Sequence, residues 1–512
     1  MNRTTASGFF SILSSSVLVL AVTAVTTPVL YRLLGPAGYG RYAFVLSVFM
    51  VFMIFVNAGV SDGVRKFLAE DRDLPGWDGL VVGFYLKLAA VLAAAGAGLL
   101  LLVAETGLVA RYVGSTFVPY FELLAVLVVA GQFREFVRKT LMGFGLERYS
   151  EPLNVLKKVT FGAVAIAMVS LGFGVPGALV GDVAASVVVI AIGTGLVLRR
   201  VSVRALFRRP PAAFPRRDLF TFNTLSILLV LLMMSLYHAD VIMLQLFDGS
   251  RSVGYYKAAL NLAEFLWFVP LAVQTVFVHS TSELWSRGRR DHITELVSRT
   301  TRYTLLVTAV MALGIAALAN VVVPLYFGFN ARPAVTPLLL LLPGALGFAA
   351  ARPIVAVAQG KGDLWPPIAA TGVAAALNVG LNLALIPRYG MAGAAVATSV
   401  GYGSMFGLHL WSARRLGFDP LADARPVRVG LTTALAAGPI LWLPSAVGNG
   451  LLSLVVVPPL GLALFVALAL ATGALDPLEP FEVLGAFPTP IGPLVGRLEG
   501  SVRSLAEGGS RE

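Results

Sequence analysis

Ile386-Pro387-Arg388-Tyr389-Gly390-Met391-Ala392-Gly393-Ala394-Ala395 is a very short turn between two apolar runs, and an echo of it lies in the first half of the chain. There the chain reads Gly172-Phe173-Gly174-Val175-Pro176-Gly177-Ala178, so that Gly174 answers Gly390 and Gly177 answers Gly393. The register extends to other places. Gly35 and Gly40 recur as Gly249 and Gly254, and Gly143 and Gly145, followed by Glu147, resemble Gly360 and Gly362, followed by Asp363, all at nearly the offset that separates Gly174 from Gly390. Landmarks repeated at nearly one offset argue for a duplicated chain, and duplicated membrane chains are commonly transporters.

Of the 512 residues, 57% are hydrophobic and 13% charged, and the mean hydropathy is +0.83. No soluble domain of this size would carry that composition on its surface, so the chain is expected to be an all-α polytopic membrane protein. Apolar runs of about 20 residues suffice to cross a hydrocarbon core of roughly 30 Å. They predict fourteen helices, near residues 8–31, 42–60, 79–103, 117–141, 154–173, 176–198, 221–246, 255–279, 302–323, 336–358, 364–386, 391–412, 427–446 and 451–472. The run from Ser11 to Leu20 continues to Val29 without a small-residue cleavage site, so it reads as the first helix rather than a signal peptide. The chain has no cysteine, which excludes disulfides and thiol chemistry.

The net charge of +12 is explained by its distribution. Alternate loops carry Arg65, Lys66 and Arg72, then Arg148, Lys157 and Lys158, then a run of arginines from Arg199 to Arg217, then Arg287, Arg289 and Arg290, then Arg414, Arg415, Arg425 and Arg428. The opposite loops hold few basic residues, Arg32, Arg41, Arg111, Arg251, Lys257, Arg332 and Arg388. This bias places both termini in the cytoplasm and removes the need for nucleic acid as a partner.

Arg208-Arg209-Pro210-Pro211-Ala212-Ala213-Phe214-Pro215-Arg216-Arg217 cannot continue a membrane helix and reads as a cytoplasmic linker. It divides the chain into a six-helix lobe at 1–205, a linker at 206–218, a second six-helix lobe at 219–415, two additional transmembrane helices at 416–475 and a cytoplasmic tail at 476–512. Six spans per half give the two pseudo-symmetric lobes the same orientation. In the tail, Val495, Leu498, Val502 and Leu505 fall at helical spacing, which suits either a short interfacial helix or disorder.

The same motifs carry a family resemblance. Leu34-Gly35-Pro36-Ala37-Gly38-Tyr39-Gly40-Arg41-Tyr42, Val253-Gly254-Tyr255-Tyr256-Lys257-Ala258-Ala259 and the stretch from Leu377 to Gly390 resemble, in this order, polysaccharide flippases of the Wzx type. The resemblance covers residues 1–415. It implies a member of the multidrug, oligosaccharidyl-lipid and polysaccharide exporter superfamily, with two lobes around a central cavity, moving polyprenyl-linked sugars across the cell membrane.

Ionisable groups within spans are costly and mark candidate sites. Lys87, well inside the third helix, reads either as a lysine snorkelling to the interface or as a cavity cation for a lipid-linked phosphate. Arg134 and Arg138 near the inner end of the fourth helix, and Arg352 at a comparable level of the tenth, suit a phosphate or pyrophosphate, because a guanidinium binds it as a bidentate fork. The alternative for Arg134 and Arg138 is local pairing with Glu135. Asp240 and Glu264 are candidates for a coupling H+ or Na+, for sugar hydroxyls, or for structural pairing; neighbouring His238 reads as an interfacial side chain. Asn378 and Asn382, four apart on one helix face, would bridge helices or line the path. Glu122 and Asp182 are assigned to the outer interface and to a helix start respectively.

No Walker loop, Cys/His zinc cluster or Gly-x-Ser-x-Gly elbow occurs in the sequence. The leading expectation is a non-enzymatic flippase without cofactor, whose partners are a lipid-linked glycan, membrane lipids and the glycosyltransferases, polymerase or oligosaccharyltransferase of its pathway. A cation-coupled multidrug exporter of the same superfamily is the alternative, and a membrane glycosyltransferase, polymerase or ligase the second.

Overall fold

The computed structural model describes residues 3–70, 72–211, 214–221, 224–477 and 479, among which there is no strand. The principal helices are α1 (Arg3–Asn57), α2 (Val60–Ala69), α3 (Trp77–Glu105), α4 (Val118–Gly143), α5 (Glu147–Met168), α6 (Gly174–Leu198), α7 (Thr224–Phe247), α8 (Ser250–Ala263), α9 (Phe268–Ser286), α10 (Arg290–Phe327), α11 (Val335–Lys361), α12 (Trp365–Leu416), α13 (Pro426–Val447) and α14 (Gly450–Ala471). Shorter turns are left unlabelled.

Among the described residues, eleven helical segments are long and apolar enough to cross a membrane. Three of them, Val17–Asn57, Glu147–Leu198 and Trp365–Leu416, run to 41, 52 and 52 residues. A straight helix of 52 residues would be about 78 Å long at about 1.5 Å per residue, so these segments must fold back, and each does so at a glycine. Gly174 turns with φ 52° and ψ −136°, and Gly390, its partner in the repeat, with φ 53° and ψ −133°. A β-carbon disfavours this conformation, which explains why the turn carries glycine in both halves.

Cross-contacts show that the arms are antiparallel. In α12 Thr371 meets His409, Asn378 meets Thr398, and Gly393 packs on the Leu385 carbonyl. Between α5 and α6 a Cβ on Gly181 would stand 2.8 Å from that of Ala165. In α1 the backbone breaks at Gly35, with φ 68° and ψ 171°. Tyr31 and Tyr39 lie on either side of it with ring centroids 5.2 Å apart. Gly249, the counterpart of Gly35 in the repeat, precedes α8 with φ 88° and ψ 176°.

A further pair escaped the sequence reading, because the flanking residues differ. Gly114 and Gly328, separated by the same offset as Gly35 and Gly249, each precede a short 3-10 segment, Ser115–Phe117 or Phe329–Ala334, that leads into a long helix, α4 or α11.

The chain divides into two compact units. The first comprises residues 1–265, 323–348 and 362–412, and the second 266–322, 349–361 and 413–512. In the first unit Gly40 and Gly254 form a reciprocal contact. A Cβ on Gly40 would run into the Ser250 carbonyl oxygen, and one on Gly254 into that of Pro36. Pro36 and Ser250 are themselves related by the offset of the repeat, so the contact repeats the duplication. Close helix approach also brings Gly344 and Gly347 of α11 against Ser399 and Gly403 of α12. The linker is anchored here. Phe214 is buried with its ring 5.6 Å from that of Trp77, and the Tyr85 hydroxyl donates to the Leu219 carbonyl at 2.9 Å.

In the second unit Trp285 of α9 donates to the Val357 carbonyl of α11 at 3.3 Å, and Lys361 donates to the Leu416 carbonyl at 3.1 Å. Helices α13 and α14 pair antiparallel at the short turn through Gly448 and Asn449, whose side chain caps α14. The sequence Val495, Leu498, Val502 and Leu505 lies outside the described residues.

Candidate functional site

Asp240 sits in the interior of α7, without solvent exposure. Val241 N–H donates to its Oδ1 at 2.7 Å, and the Thr398 hydroxyl donates to its Oδ2 at 3.0 Å. The Tyr256 hydroxyl of α8 also donates to Oδ2. Behind them, Asn378 Nδ2 donates to Thr398 Oγ1 at 3.3 Å and Asn382 Nδ2 to Asn378 Oδ1 at 3.1 Å. One carboxylate is thus held by hydroxyl and amide groups from three helices, and every one of those partners is neutral. The α12 hairpin creates the arrangement by folding Thr398 back onto Asn378. Asn378 therefore supports Asp240 through Thr398, a combination of the two roles the sequence left open.

A second polar row lies along α8. Lys257, Asn261 and Glu264 are spaced four and three apart, so they share a face. Lys257 Nζ is 3.5 Å from Glu264, and Asn261 Nδ2 donates to the Tyr39 hydroxyl at 3.0 Å. Glu264 keeps about a third of its side chain exposed, 32%. His238 Nδ1 is 3.2 Å from Ser47 Oγ. Lys257, which the sequence placed among loop residues, belongs to this row.

Arg134 lies 2.5 Å from Glu135, and Arg138 reaches Glu135 at 3.5 Å and Glu151 at 3.7 Å. Both guanidinium groups therefore have acidic partners close by, as the local alternative expects. Lys87 is exposed on α3. In the second unit Arg352 is 5% exposed, with Nη1 3.4 Å from Gln274 Oε1, and Gln274 in turn donates to Gln359 at 3.1 Å.

Two charged pairs were missed. Lys157 Nζ meets Asp182 Oδ1 at 2.6 Å. The sequence grouped Lys157 with the basic loop residues because a helix starting at 154 leaves it in the first turn, whereas α5 starts at Glu147. Asp182 is likewise not at a helix start but more than two turns beyond Gly174. Its charge within an apolar helix was the signal that a partner had to exist. The other is Arg302 of α10, fully buried, which pairs with Glu479 and lies 3.2 Å from Asp423.

Between α10 and the α13–α14 pair runs an apolar groove. Two adjoining cavities of about 350 and 390 Å³ share Val310 and Leu462, the first reaching Val322 and the second ending at Tyr303 and Glu479.

The polysaccharide biosynthesis protein family matches residues 5–277, and the lipid II flippase MurJ family matches residues 155–458. An uncharacterised membrane protein of Methanocaldococcus jannaschii is 24% identical over 335 residues, which are 63% of this chain and 64% of that protein. The chain thus spans just under two thirds of that relative. The probable low-salt glycan biosynthesis flippase Agl15 of Haloferax volcanii is 23% identical over 381 residues, 74% of this chain and 77% of Agl15.

Among solved structures, lipid II flippase MurJ in an inward closed conformation superposes with a TM-score of 0.69 at 13% identity, covering 90% of this chain and 98% of MurJ. An inward-facing multidrug resistance transporter of the MATE family gives 0.62 at 17% identity, covering 78% and 98%. At such identities the likeness concerns the fold. Each family match takes in more than half of the sequence, and the chain belongs to the polysaccharide biosynthesis protein family of membrane flippases, with the fold of the lipid II flippase.

Proposed function

We propose that the chain moves a polyprenyl-phosphate- or pyrophosphate-linked sugar or oligosaccharide across the cell membrane by alternating access, in surface polysaccharide or glycoprotein biosynthesis. The observation that carries this reading is family membership matched over residues 5–277 and 155–458. Glycan flippase Agl15 adds to it, and the MATE structures fit the multidrug alternative less well than MurJ fits this one. Relatives that are flippases also speak against the glycosyltransferase reading.

Charge distribution along the chain supports an orientation with both termini in the cytoplasm. Counted with each of the three hairpins as two crossings, the chain would span the membrane fourteen times. The lobes proposed are 1–205 and 219–415, joined by the linker at 206–218 and followed by two further helices.

The cargo has a charged head and an apolar tail, and the molecule offers chemistry for both. Arg352, buried and bonded to the Gln274 amide, brings a permanent positive charge with the planar geometry that suits phosphate oxygens. Lys257, Asn261 and Glu264 offer a cation, an amide and an acid for a phosphorylated sugar. Arg134, Arg138 and Lys87 are secondary candidates. The apolar groove from Tyr303 to Val322 is long enough for isoprenoid carbon, at about 1.5 Å per helical residue. Asp240 is the proposed coupling site, for Na+ or H+. A carboxylate amid neutral donors gains most from taking up a cation, because burial penalises its bare charge.

The reading is tested in cells from which the gene has been deleted. Wild-type protein is expected to restore surface glycan, and Arg352→Ala to fail while remaining at normal abundance in the membrane. Full restoration by Arg352→Ala would remove Arg352 from the site. Drug sensitivity without a glycan defect on deletion would favour the multidrug alternative.

A further inference from the structure

The N-terminal half contains a counterpart of the Asp240 cluster, and the counterpart is neutralised from within. In the register that relates Gly174 to Gly390, Asp182 corresponds to Thr398 and Gly162 to Asn378. In the register that relates Gly35 to Gly249, Thr26 corresponds to Asp240 and Tyr42 to Tyr256.

These four positions also converge in the structure. A Cβ on Gly162 would stand 2.7 Å from Thr26 Oγ1, and the Tyr42 ring stacks at 6.4 Å on Phe161 beside it. Lys157, whose ammonium lies 5.5 Å from that same Phe161 ring, bonds Asp182 at 2.6 Å. The acid has changed helices between the halves, from α7 in one to α6 in the other.

What distinguishes the two is the counter-charge. Asp182 and Lys157 are 11% and 13% exposed and pair directly, whereas each hydrogen-bond partner of Asp240 is neutral.

We propose that Lys157 is a tethered internal cation, occupying in the N-terminal half the place that a mobile monovalent cation takes in the C-terminal half, so that the carrier exchanges one cation rather than two. This rests on the reading of Asp240 as the coupling site. The physical reason is that a buried carboxylate in a membrane protein needs a counter-charge, and breaking a buried pair leaves the remaining charge uncompensated. A lysine provides that charge permanently and cannot leave with the transport cycle. Removing it opens the pair and leaves Asp182 with only the more distant charge of Lys158, so that the acid gains from taking up a cation from solution.

The test is thermal unfolding of the purified full-length protein in detergent, with NaCl replaced stepwise by choline chloride at constant ionic strength. A cation bound only by the folded state raises Tm with its concentration. Wild type is expected to show an Na+-dependent rise that is lost in Asp240→Asn. Lys157→Met combined with Asp240→Asn is expected to regain an Na+-dependent rise, and adding Asp182→Asn to that pair is expected to abolish it.

Lys157→Arg, which keeps the tethered charge, is expected to behave as wild type. A folded Lys157→Met/Asp240→Asn protein with no Na+ response would overturn the proposal. So would a Lys157→Met protein that fails to fold in both salts. Absence of an Na+ response in the wild type would instead count against Na+ as the ion taken up at Asp240, and the two results are read from different proteins.

Discussion

At the scale of single residues, the buried charges differ in their hydrogen-bond partners: Asp182 pairs directly with Lys157, whereas the groups bonded to Asp240 are neutral. The hydrogen bonds to Asp240 come from two hydroxyls and a backbone amide, so Asp240→Asn keeps the shape and removes the charge, while turning one accepting oxygen into a donor that the hydroxyls must rotate to meet. It is expected to abolish ion dependence of transport with little loss of folded protein, measured as glycan translocation against Na+ and H+ gradients. Unchanged gradient dependence would exclude Asp240 from coupling.

Arg352→Lys keeps the charge but loses the planar fork. Its transport rate is expected to fall between those of wild type and Arg352→Ala, and a rate equal to wild type would argue against bidentate phosphate binding.

Asp240, Arg352 and Glu264 were legible in the sequence because each interrupts a long apolar run. Lys157 was not, since starting its helix at 154 rather than Glu147 put a residue well inside α5 within the first turn, where it counted with the basic loop residues. Arg302 was hidden for a related reason: its acidic partners, Asp423 and Glu479, are far away in sequence.

At the scale of elements, the repeat is recorded in backbone geometry more faithfully than in side chains. Gly174 and Gly390 adopt nearly the same φ and ψ, and the sequence showed both because only glycine suits such a turn. The antiparallel course of the hairpins became clear only from contacts such as Thr371 with His409.

At the reciprocal approach of Gly40 and Gly254, a methyl group meets a carbonyl oxygen, and helices separate. On the proposed orientation this contact lies toward the outer face and is expected to hold it shut. Gly254→Ala is expected to cost about 1–3 kcal/mol in the closed arrangement and to increase labelling of a single cysteine at Ser47 by an impermeant maleimide. The native chain has no cysteine, so background is low. Labelling equal to that of the glycine parent would show that the contact does not hold the outer face shut.

The open end of the α13–α14 pair makes a prediction about pH. Arg425 donates to both oxygens of Asp476, at 2.8 and 2.7 Å. These hydrogen bonds hold the Asp476 carboxyl below its ordinary pKa, with the nearby charges of Arg425, Arg302 and Arg428 acting in the same direction. A depressed folded-state pKa gives stability that is fully present above the unfolded value of about 3.9 and lost as pH falls through the folded value. Protection of Thr472 to Leu475 against hydrogen exchange, relative to the intrinsic rate at each pH, is therefore expected to stay constant from about pH 8 to about 5 and to fall below about 4. In Asp476→Asn this pH dependence is expected to disappear. A loss of protection beginning near neutral pH would contradict the assignment.

For the molecule as a whole, the all-helical membrane class, the duplication and the family were all readable from composition and from glycines repeated at a nearly constant offset. The cargo is a matter of a few charges whose partners come together only on folding. The central claim, translocation of a lipid-linked glycan, is tested most directly by reconstituting the purified protein in liposomes that hold a polyprenyl-pyrophosphate-linked oligosaccharide in both leaflets. An impermeant glycosidase outside the vesicles reads how much of the glycan becomes accessible. Accessible glycan is expected to rise from about half to nearly all as inner-leaflet lipid crosses, and to remain at about half with Arg352→Ala, because polar headgroups cross a hydrocarbon core slowly unaided. Wild-type protein that leaves accessibility at the level of protein-free vesicles would contradict the account.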